Sequence, residues 1–195
     1  MFLLQTIKQP ITQRPFKSLL MLLFYGFISF SAFGQKLKSD TTAKFNFSDL
    51  SQNKASIIVF FDIDCPICEK YTKLLKEIDQ QYSAQGVKVY VVYPYKIVDL
   101  KAISSFKEDF EFDLPIYFDK KRDLLRRLKG SVTPEVFLLN NIGATVYHGA
   151  IDNWFYSLGK SRAQATEHYL LDATEQLLKG EPIKSTYHEP IGCAL

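Results

Sequence analysis

Five consecutive β-favouring side chains, Ile57-Ile58-Val59-Phe60-Phe61, are followed shortly by a stretch whose apolar positions recur at helical spacing. A run that is apolar at every position belongs to a strand covered on both faces, and such a strand needs layers above and below its sheet. The helix is marked by Tyr71, Leu74, Leu75, Ile78 and Tyr82 on one side and Lys70, Lys73, Lys76, Glu77 and Gln80 on the other, with Gly86 as its stop. The alternation then repeats. Val87–Tyr93 predicts a second strand, the spacing of Val98, Ala102, Ile103, Phe106 and Phe110 a second helix, and Leu114–Phe118 a third strand. Asp123–Lys129 predicts a short basic helix closed by Gly130. Val136–Leu139 and Ala144–His148, joined by Asn140-Asn141-Ile142-Gly143, read as a β-hairpin. Ala163–Lys179 predicts a last helix, ended by Gly180 and Pro182. This order implies an α/β fold with a mixed central sheet flanked by helices, a single domain over residues 54–180, and a tail over 181–195 that carries Cys193. Residues 35–53 are polar and read as a flexible leader, with at most a short edge strand at the Phe45/Phe47 alternation.

Composition excludes several classes. With 47% hydrophobic and 14% aromatic residues, the chain can bury enough apolar surface to fold, which excludes a disordered or low-complexity protein. The net charge of +3 is matched by Lys8, Arg14 and Lys17 in an acid-free stretch over residues 1–34, so the remainder sums to about zero (3 − 3). No basic face remains for nucleic acid, and Lys120-Lys121-Arg122 with Arg126-Arg127 read as one solvated helix face. Leu19–Phe33 is an apolar run of 15 residues behind those three cations, shorter than the ~20 needed to cross a bilayer. With the small residues of Ala32-Phe33-Gly34, it predicts a signal peptide over residues 1–34, cleaved before Gln35, and hence an exported protein. A membrane is a partner only if that segment stays uncleaved. The sequence carries no information on oligomeric state.

Export gives the cysteines their meaning, because disulfides form and persist outside the cytoplasm. The chain has three, Cys65, Cys68 and Cys193, so at least one thiol is free, transient or shared. Cys65-Pro66-Ile67-Cys68 falls where the first buried strand hands over to the first helix. Pro66 suits the first helical position, which sets Cys65 at the N-cap, facing unsatisfied N–H groups and the positive end of the helix dipole. A thiolate is favoured there, below the free value of ~8.5. Cys68, one turn on, is expected to close an exchangeable small-ring disulfide with Cys65. Cys65 would then attack a partner disulfide and Cys68 would resolve the mixed disulfide. A static staple and half a zinc site are the competing uses of the pair, but tetrahedral zinc needs four ligands, and besides Cys193 only His148, His168 and His188 remain.

Val132-Thr133-Pro134 is the second informative site. A residue before proline is biased to extended backbone, and a proline opening a strand lacks a donor. A cis Thr133-Pro134 bond would turn the backbone of Thr133 toward the Cys65 sulfur, where it could pair with an extended peptide. Thr133 and Pro134 are therefore the expected substrate-binding corner.

With the Cys-Pro-Ile-Cys helix start and the Thr-Pro ahead of the hairpin, the chain resembles the thioredoxin superfamily over about Ile57–Lys179. Phe61-Asp62-Ile63-Asp64-Cys65-Pro66-Ile67, Val92-Tyr93-Pro94, Val132-Thr133-Pro134-Glu135, Tyr147–Asn153 and Ile191-Gly192-Cys193 resemble the exported redoxins grouped with the alkyl hydroperoxide reductase/thiol-specific antioxidant family. The resemblance implies a thioredoxin fold, a redox-active Cys65 and Cys68, and a cis Pro134. The chain departs from it in two places. Thioredoxins carry Trp before the first cysteine and an acid six positions before it, where this chain has Asp64 and Val59, so Asp62, Asp64 or Glu135 would have to transfer protons. The charge of Asp64 beside Cys65 would oppose thiolate formation. Peroxiredoxins place Thr three residues before the attacking cysteine, where this chain has Asp62.

Cys193 is an accessory thiol that, if the tail folds back, would resolve a Cys65 mixed disulfide or pair with Cys68. His148 on the hairpin could complete a Cys/Cys/His copper set. Tyr90, Tyr93 and Tyr95 read as sheet edge and core cover, and Trp154 and Phe155 as core or the flank of a peptide groove. The sequence thus implies a thiol-disulfide oxidoreductase acting on protein or small-thiol partners, without a cofactor. The alternatives are a thiol peroxidase and a copper- or metal-binding carrier of the same fold.

Overall fold

A computed structural model describes residues 36–195. The elements in order are β1 (Lys36–Ser39), β2 (Lys44–Asn46), β3 (Ala55–Phe60), α1 (Pro66–Tyr82), β4 (Val87–Tyr93), α2 (Leu100–Asp109), β5 (Ile116–Phe118) and α3 (Asp123–Leu128). They continue with β6 (Val132–Thr133), β7 (Glu135–Asn140), β8 (Thr145–Gly149), β9 (Phe155–Ser157), β10 (Lys160–Ser161), α4 (Tyr169–Lys179), β11 (Tyr187–His188) and β12 (Cys193–Ala194). The main sheet runs β11-β8-β7-β3-β4-β5-β1-β2. β3, β4 and β5 are parallel, and β7, β8, β1 and β2 add antiparallel pairs, so the sheet is mixed.

β3 is buried at all of its positions because it has a layer on each side. Ile57, Val59 and Phe61 enter one cluster with Tyr71, Leu75 and Ile78 of α1, Ile103 and Phe106 of α2, and Leu170 and Ala173 of α4. Ile58 and Phe60 point the other way, to Leu124 and Leu125 of α3, Phe137, and Leu37, Phe45 and Leu50 from the first segment. Residues 36–53, expected as a flexible leader, therefore supply Leu37, Phe45 and Leu50 to the second core. Leu37 and Phe45 are cross-strand partners in an otherwise polar hairpin, and the Asp40 carboxylate fastens it by accepting from the Ile116 N–H (2.8 Å) and pairing with Lys107 (2.6 Å). Too few apolar residues mark the segment for composition to reveal it.

The last helix also differs from expectation. It begins at Tyr169 instead of Ala163. The Asn153 side chain accepts from the N–H groups of Thr166 (2.8 Å) and Glu167 (3.2 Å), and the Trp154 indole donates to the Arg162 carbonyl (2.9 Å), so the preceding residues are held in a turn beside the β9–β10 hairpin. No helix among the described residues is long and apolar enough to cross a membrane. The expected signal segment lies outside the described residues.

Candidate functional site

The candidate site begins at the end of β3. The Phe61 N–H still bonds the Val92 carbonyl (2.9 Å), after which the Asp62 carboxylate accepts from the Asp64 N–H (3.1 Å) and the Cys65 N–H from this turn reaches the Asp62 carbonyl (3.3 Å). The turn delivers Cys65 as the N-cap of α1 in extended conformation (φ −91°, ψ 113°), with Pro66 starting the helix and no side-chain cap competing for its first N–H groups. The Cys65 Sγ therefore sits at the positive end of a helix of 17 residues. The Thr133-Pro134 bond is cis, and the Thr133 carbonyl oxygen lies 3.1 Å from the Cys65 Sγ, close enough to accept a thiol S–H in the reduced form.

The disulfide is the main departure from expectation. Cys65 is bonded to Cys193, with Cα atoms 6.2 Å apart across a sequence separation of 128, and Cys68 is a free, buried thiol. The two cysteines of the helix start do not form a ring, and neither shows surface to solvent, whereas Cys193 is half-buried. Burial pushes the Cys68 thiol up to about 12, only partly opposed by the Asp62 N–H that points at its sulfur (3.5 Å), while the Asp62 charge pushes the same way as burial. A thiol so held supplies little thiolate near neutral pH. In this closed arrangement Cys68 is poorly suited to the resolving role the sequence suggests for it.

Cys193 arrives by a folded-back tail. β11 runs parallel to β8, and the Ala150 N–H donates to the His188 carbonyl (2.9 Å) and the His148 N–H to the Thr186 carbonyl (3.0 Å). Gly149 (φ +117°) permits the approach, since a Cβ there would stand 1.8 Å from the His188 oxygen. His188 stacks on Tyr169 at 3.6 Å between ring centres. The tail then pairs antiparallel with β6, Cys193 opposite Thr133 and Ala194 opposite Val132, and the Leu195 N–H donates to the Ser131 carbonyl (3.1 Å).

The proton-transfer candidates separate. Glu135 is opposite Phe60 on β3, on the sheet face away from the sulfurs, and its carboxylate accepts from the Ser131 N–H (2.7 Å), the Ser131 hydroxyl (3.1 Å) and the Val132 N–H (3.4 Å). It braces β6. Asp64 is exposed beside the helix start. Asp62 is the acid nearest the Cys68 thiol, and it also accepts a hydrogen bond from the Tyr95 hydroxyl (2.7 Å). Tyr95, read from sequence as cover, is thus part of the site, and burial together with Asp62 keeps it a neutral phenol. Its phenol stood ahead of the second helix with no motif to single it out.

His148 does not join the sulfurs. Its ring stacks on Phe137, which belongs to the cluster on the opposite face, with Nδ1 3.8 Å from Glu135 Oε1, so the Cys/Cys/His copper set is not assembled. Trp154 and Phe155 pack on Tyr71, whose hydroxyl donates to Asp152 (2.6 Å). Tyr71 and Phe155 line a small gap together with Pro134, Ile151 and Ile191 of the tail.

Similar architecture occurs in solved structures. A hypothetical protein of Sinorhizobium meliloti is matched at 21% identity and a TM-score of 0.71, over 84% of this chain and 90% of that one. A putative thiol:disulfide interchange protein DsbE of Chlorobium tepidum is matched at 19% identity and 0.52, over 60% and 80%. The bacterioferritin comigratory protein of Xanthomonas campestris, described for its alkyl peroxide reduction activity, is matched at 15% identity and 0.51, over 60% and 79%. These likenesses identify a thioredoxin-like redoxin fold. No curated protein matches the sequence. The profile of the AhpC/TSA family matches residues 30–148, which span the hairpin leader, the Cys-Pro-Ile-Cys helix start, the cis-proline corner and β8, and the chain belongs to that family.

Proposed function

We propose that the protein is an exported thiol-disulfide oxidoreductase that exchanges disulfides through Cys65, with Cys193 closing its oxidised form. The observation that carries this reading is the Cys65 sulfur itself, which caps α1, faces the Thr133 carbonyl beside cis-Pro134 and is bonded to Cys193. In the forward direction the Cys65 thiolate attacks one sulfur of a partner disulfide, forming a mixed disulfide, and the partner's other sulfur leaves as a thiolate. The Cys193 thiolate then attacks Cys65 and the second partner sulfur leaves and takes up a proton. The partner gains two electrons and the chain loses two, ending as Cys65–Cys193. In the return direction an external thiolate reaches the half-buried Cys193 sulfur, and Cys65 departs as a thiolate favoured by the helix terminus. The Chlorobium tepidum likeness supports exchange with thiol or protein partners, and the charge balance gives nucleic acid no role.

Catalysed reduction of insulin by dithiothreitol tests the reading. Activity is expected in the intact chain, absent in Cys65→Ser and reduced in Cys193→Ser. Turnover that survives Cys65→Ser would refute it. Export is tested by fractionation of the producing cell, where a cytoplasmic, full-length product would count against it.

A second reading, thiol peroxidase, is favoured by the same disulfide. Peroxide oxidation of Cys65 to a sulfenic acid, followed by attack of the Cys193 thiol with loss of water, also ends as Cys65–Cys193. Asp62, three residues before Cys65, weighs against it, because it is acidic and engaged by Tyr95. Thiol-dependent consumption of an alkyl hydroperoxide faster than insulin reduction would favour the peroxidase.

A further inference from the structure

β6 pairs with β12 and, among the described residues, with no other strand. Without the tail, the backbone of Val132 and Thr133 beside the Cys65 sulfur would be an unpaired sheet edge, and such an edge recruits an extended peptide. We propose that the strip formed by Val132, Thr133 and Pro134 docks an extended, cysteine-bearing segment of a partner protein with the pattern apolar-Gly-Cys-any-apolar, and that residues 191–195 occupy it as an internal copy of that segment. The inference rests on Cys65 being the exchanging sulfur, and it names the partner class.

Each position of the pattern has a physical origin. Cys193 lies opposite Thr133, which brings its sulfur onto Cys65. The residue before it passes directly over the Thr133 carbonyl: a Cβ on Gly192 would stand 2.2 Å from that oxygen and 2.7 Å from its carbon. Both atoms are backbone, fixed by the bond into Pro134, so neither can turn aside as a flexible side chain would. Gly192 shows no positive φ, so the demand is for space and not for an unusual backbone. Ile191, two before the cysteine, packs against the first core and lines a small gap together with Tyr71, Pro134, Ile151 and Phe155, surroundings that suit an apolar side chain. Ala194 is exposed and sets no demand, while Leu195 packs on the second core. Ile191 and Cys193 thus pack against the first core and Leu195 against the second, so the segment is held by apolar contacts at both ends.

The test uses the full chain carrying Cys68→Ala and Cys193→Ser, with Cys65 loaded as a mixed disulfide with thionitrobenzoate. A probe thiolate attacks the Cys65 sulfur, a probe–Cys65 disulfide forms, and the thionitrobenzoate anion leaves with the electron pair and is read by absorbance. The probes are the capped peptides Ile-Gly-Cys-Ala-Leu and Ile-Ala-Cys-Ala-Leu and free cysteine, each normalised to its rate with the free disulfide reagent. The serine-bearing tail competes equally with the two peptides. The glycine peptide is expected to react at least tenfold faster than the alanine peptide and free cysteine. Equal normalised rates for the three would overturn the docking pattern while leaving exchange at Cys65 standing. Failure of every thiol, small or peptide, to displace the label would overturn both. Should the double variant not fold, the single variant Cys193→Ser, loaded at Cys65 in the same way with Cys68 left in its buried position, is used, and the same order of rates is required.

Discussion

Replacement of Gly149 by alanine tests whether tail anchorage sets the balance between the open and closed sulfurs. The residue sits at φ +117°, where a side chain costs about 1–3 kcal/mol, and the new Cβ would fall 1.8 Å from the His188 oxygen. The strained alternative is avoided if β11 lifts away. Lifting forfeits the bonds from Ala150 N–H and His148 N–H, about 1 kcal/mol each, and the stack of His188 on Tyr169, about 0.5–1.5 kcal/mol. Some 3 kcal/mol of anchorage is therefore at stake. In the reduced wild type this anchorage holds Cys193 near Cys65 before the bond forms; in Gly149→Ala the closing reaction must recover it. At about 1.4 kcal/mol per 30 mV for a two-electron couple, the midpoint of Cys65–Cys193 should become more oxidising by roughly 60 mV. The assay equilibrates the protein in dithiothreitol or glutathione buffers of known potential, traps thiols by alkylation and counts them by mass. His188→Ala, which removes the stack alone, should give about a third of the shift. A midpoint unchanged within about 10 mV in a Gly149→Ala protein that still melts cooperatively would refute the reasoning.

Other outcomes follow from the same geometry. A non-reducing digest should recover Cys65 linked to Cys193 with Cys68 alkylatable only after unfolding, and a Cys65–Cys68 peptide as the main product would contradict the arrangement. Because burial raises the Cys68 thiol from 9.0 to about 12, the unfolded chain releases this proton first; stability is intact below pH 9 and declines toward pH 12, by up to about 1.4 kcal/mol per pH unit from this group. The difference in stability between wild type and Cys68→Ala should change over that window and stay constant below it. Glu135→Leu leaves the Ser131 and Val132 N–H groups without an acceptor and should lower stability by about 2–4 kcal/mol, whereas Glu135→Gln should leave the pH profile of exchange unchanged, because this carboxylate faces away from the sulfurs. Asp62→Asn removes a charge that raises Cys68 and should therefore lessen the Cys68-dependent loss of stability at high pH; no change in that loss would mean that the aspartate does not act on the thiol.

The parts of the fold that sequence revealed are those that repeat locally. The continuous β-run of β3, the amphipathic spacing of α1 and α2 and the Asn/Gly hairpin turn each declare themselves within a dozen residues, and Cys65-Pro66 declares the helix start. The cis-proline corner needed only Thr133-Pro134 read together with that helix start. Features that depend on distant partners stayed hidden. Leu37 and Phe45 become core only because β1 pairs with β5, and Glu135 looked available for chemistry until the N–H groups of Ser131 and Val132 claimed it. The choice of Cys193 over Cys68 rests on a tail passing two close backbone contacts, at Gly149 and Gly192, which no local period records.

The covalent link from residue 65 to residue 193 closes a ring around nearly everything after β3. Constraining a loop of that size removes disorder from the denatured chain worth roughly 5 kcal/mol in the chain-entropy description. Oxidised and reduced molecules are therefore expected to differ in heat tolerance as well as reactivity, so that the electron count of the site also governs how readily proteases gain a foothold on the whole domain.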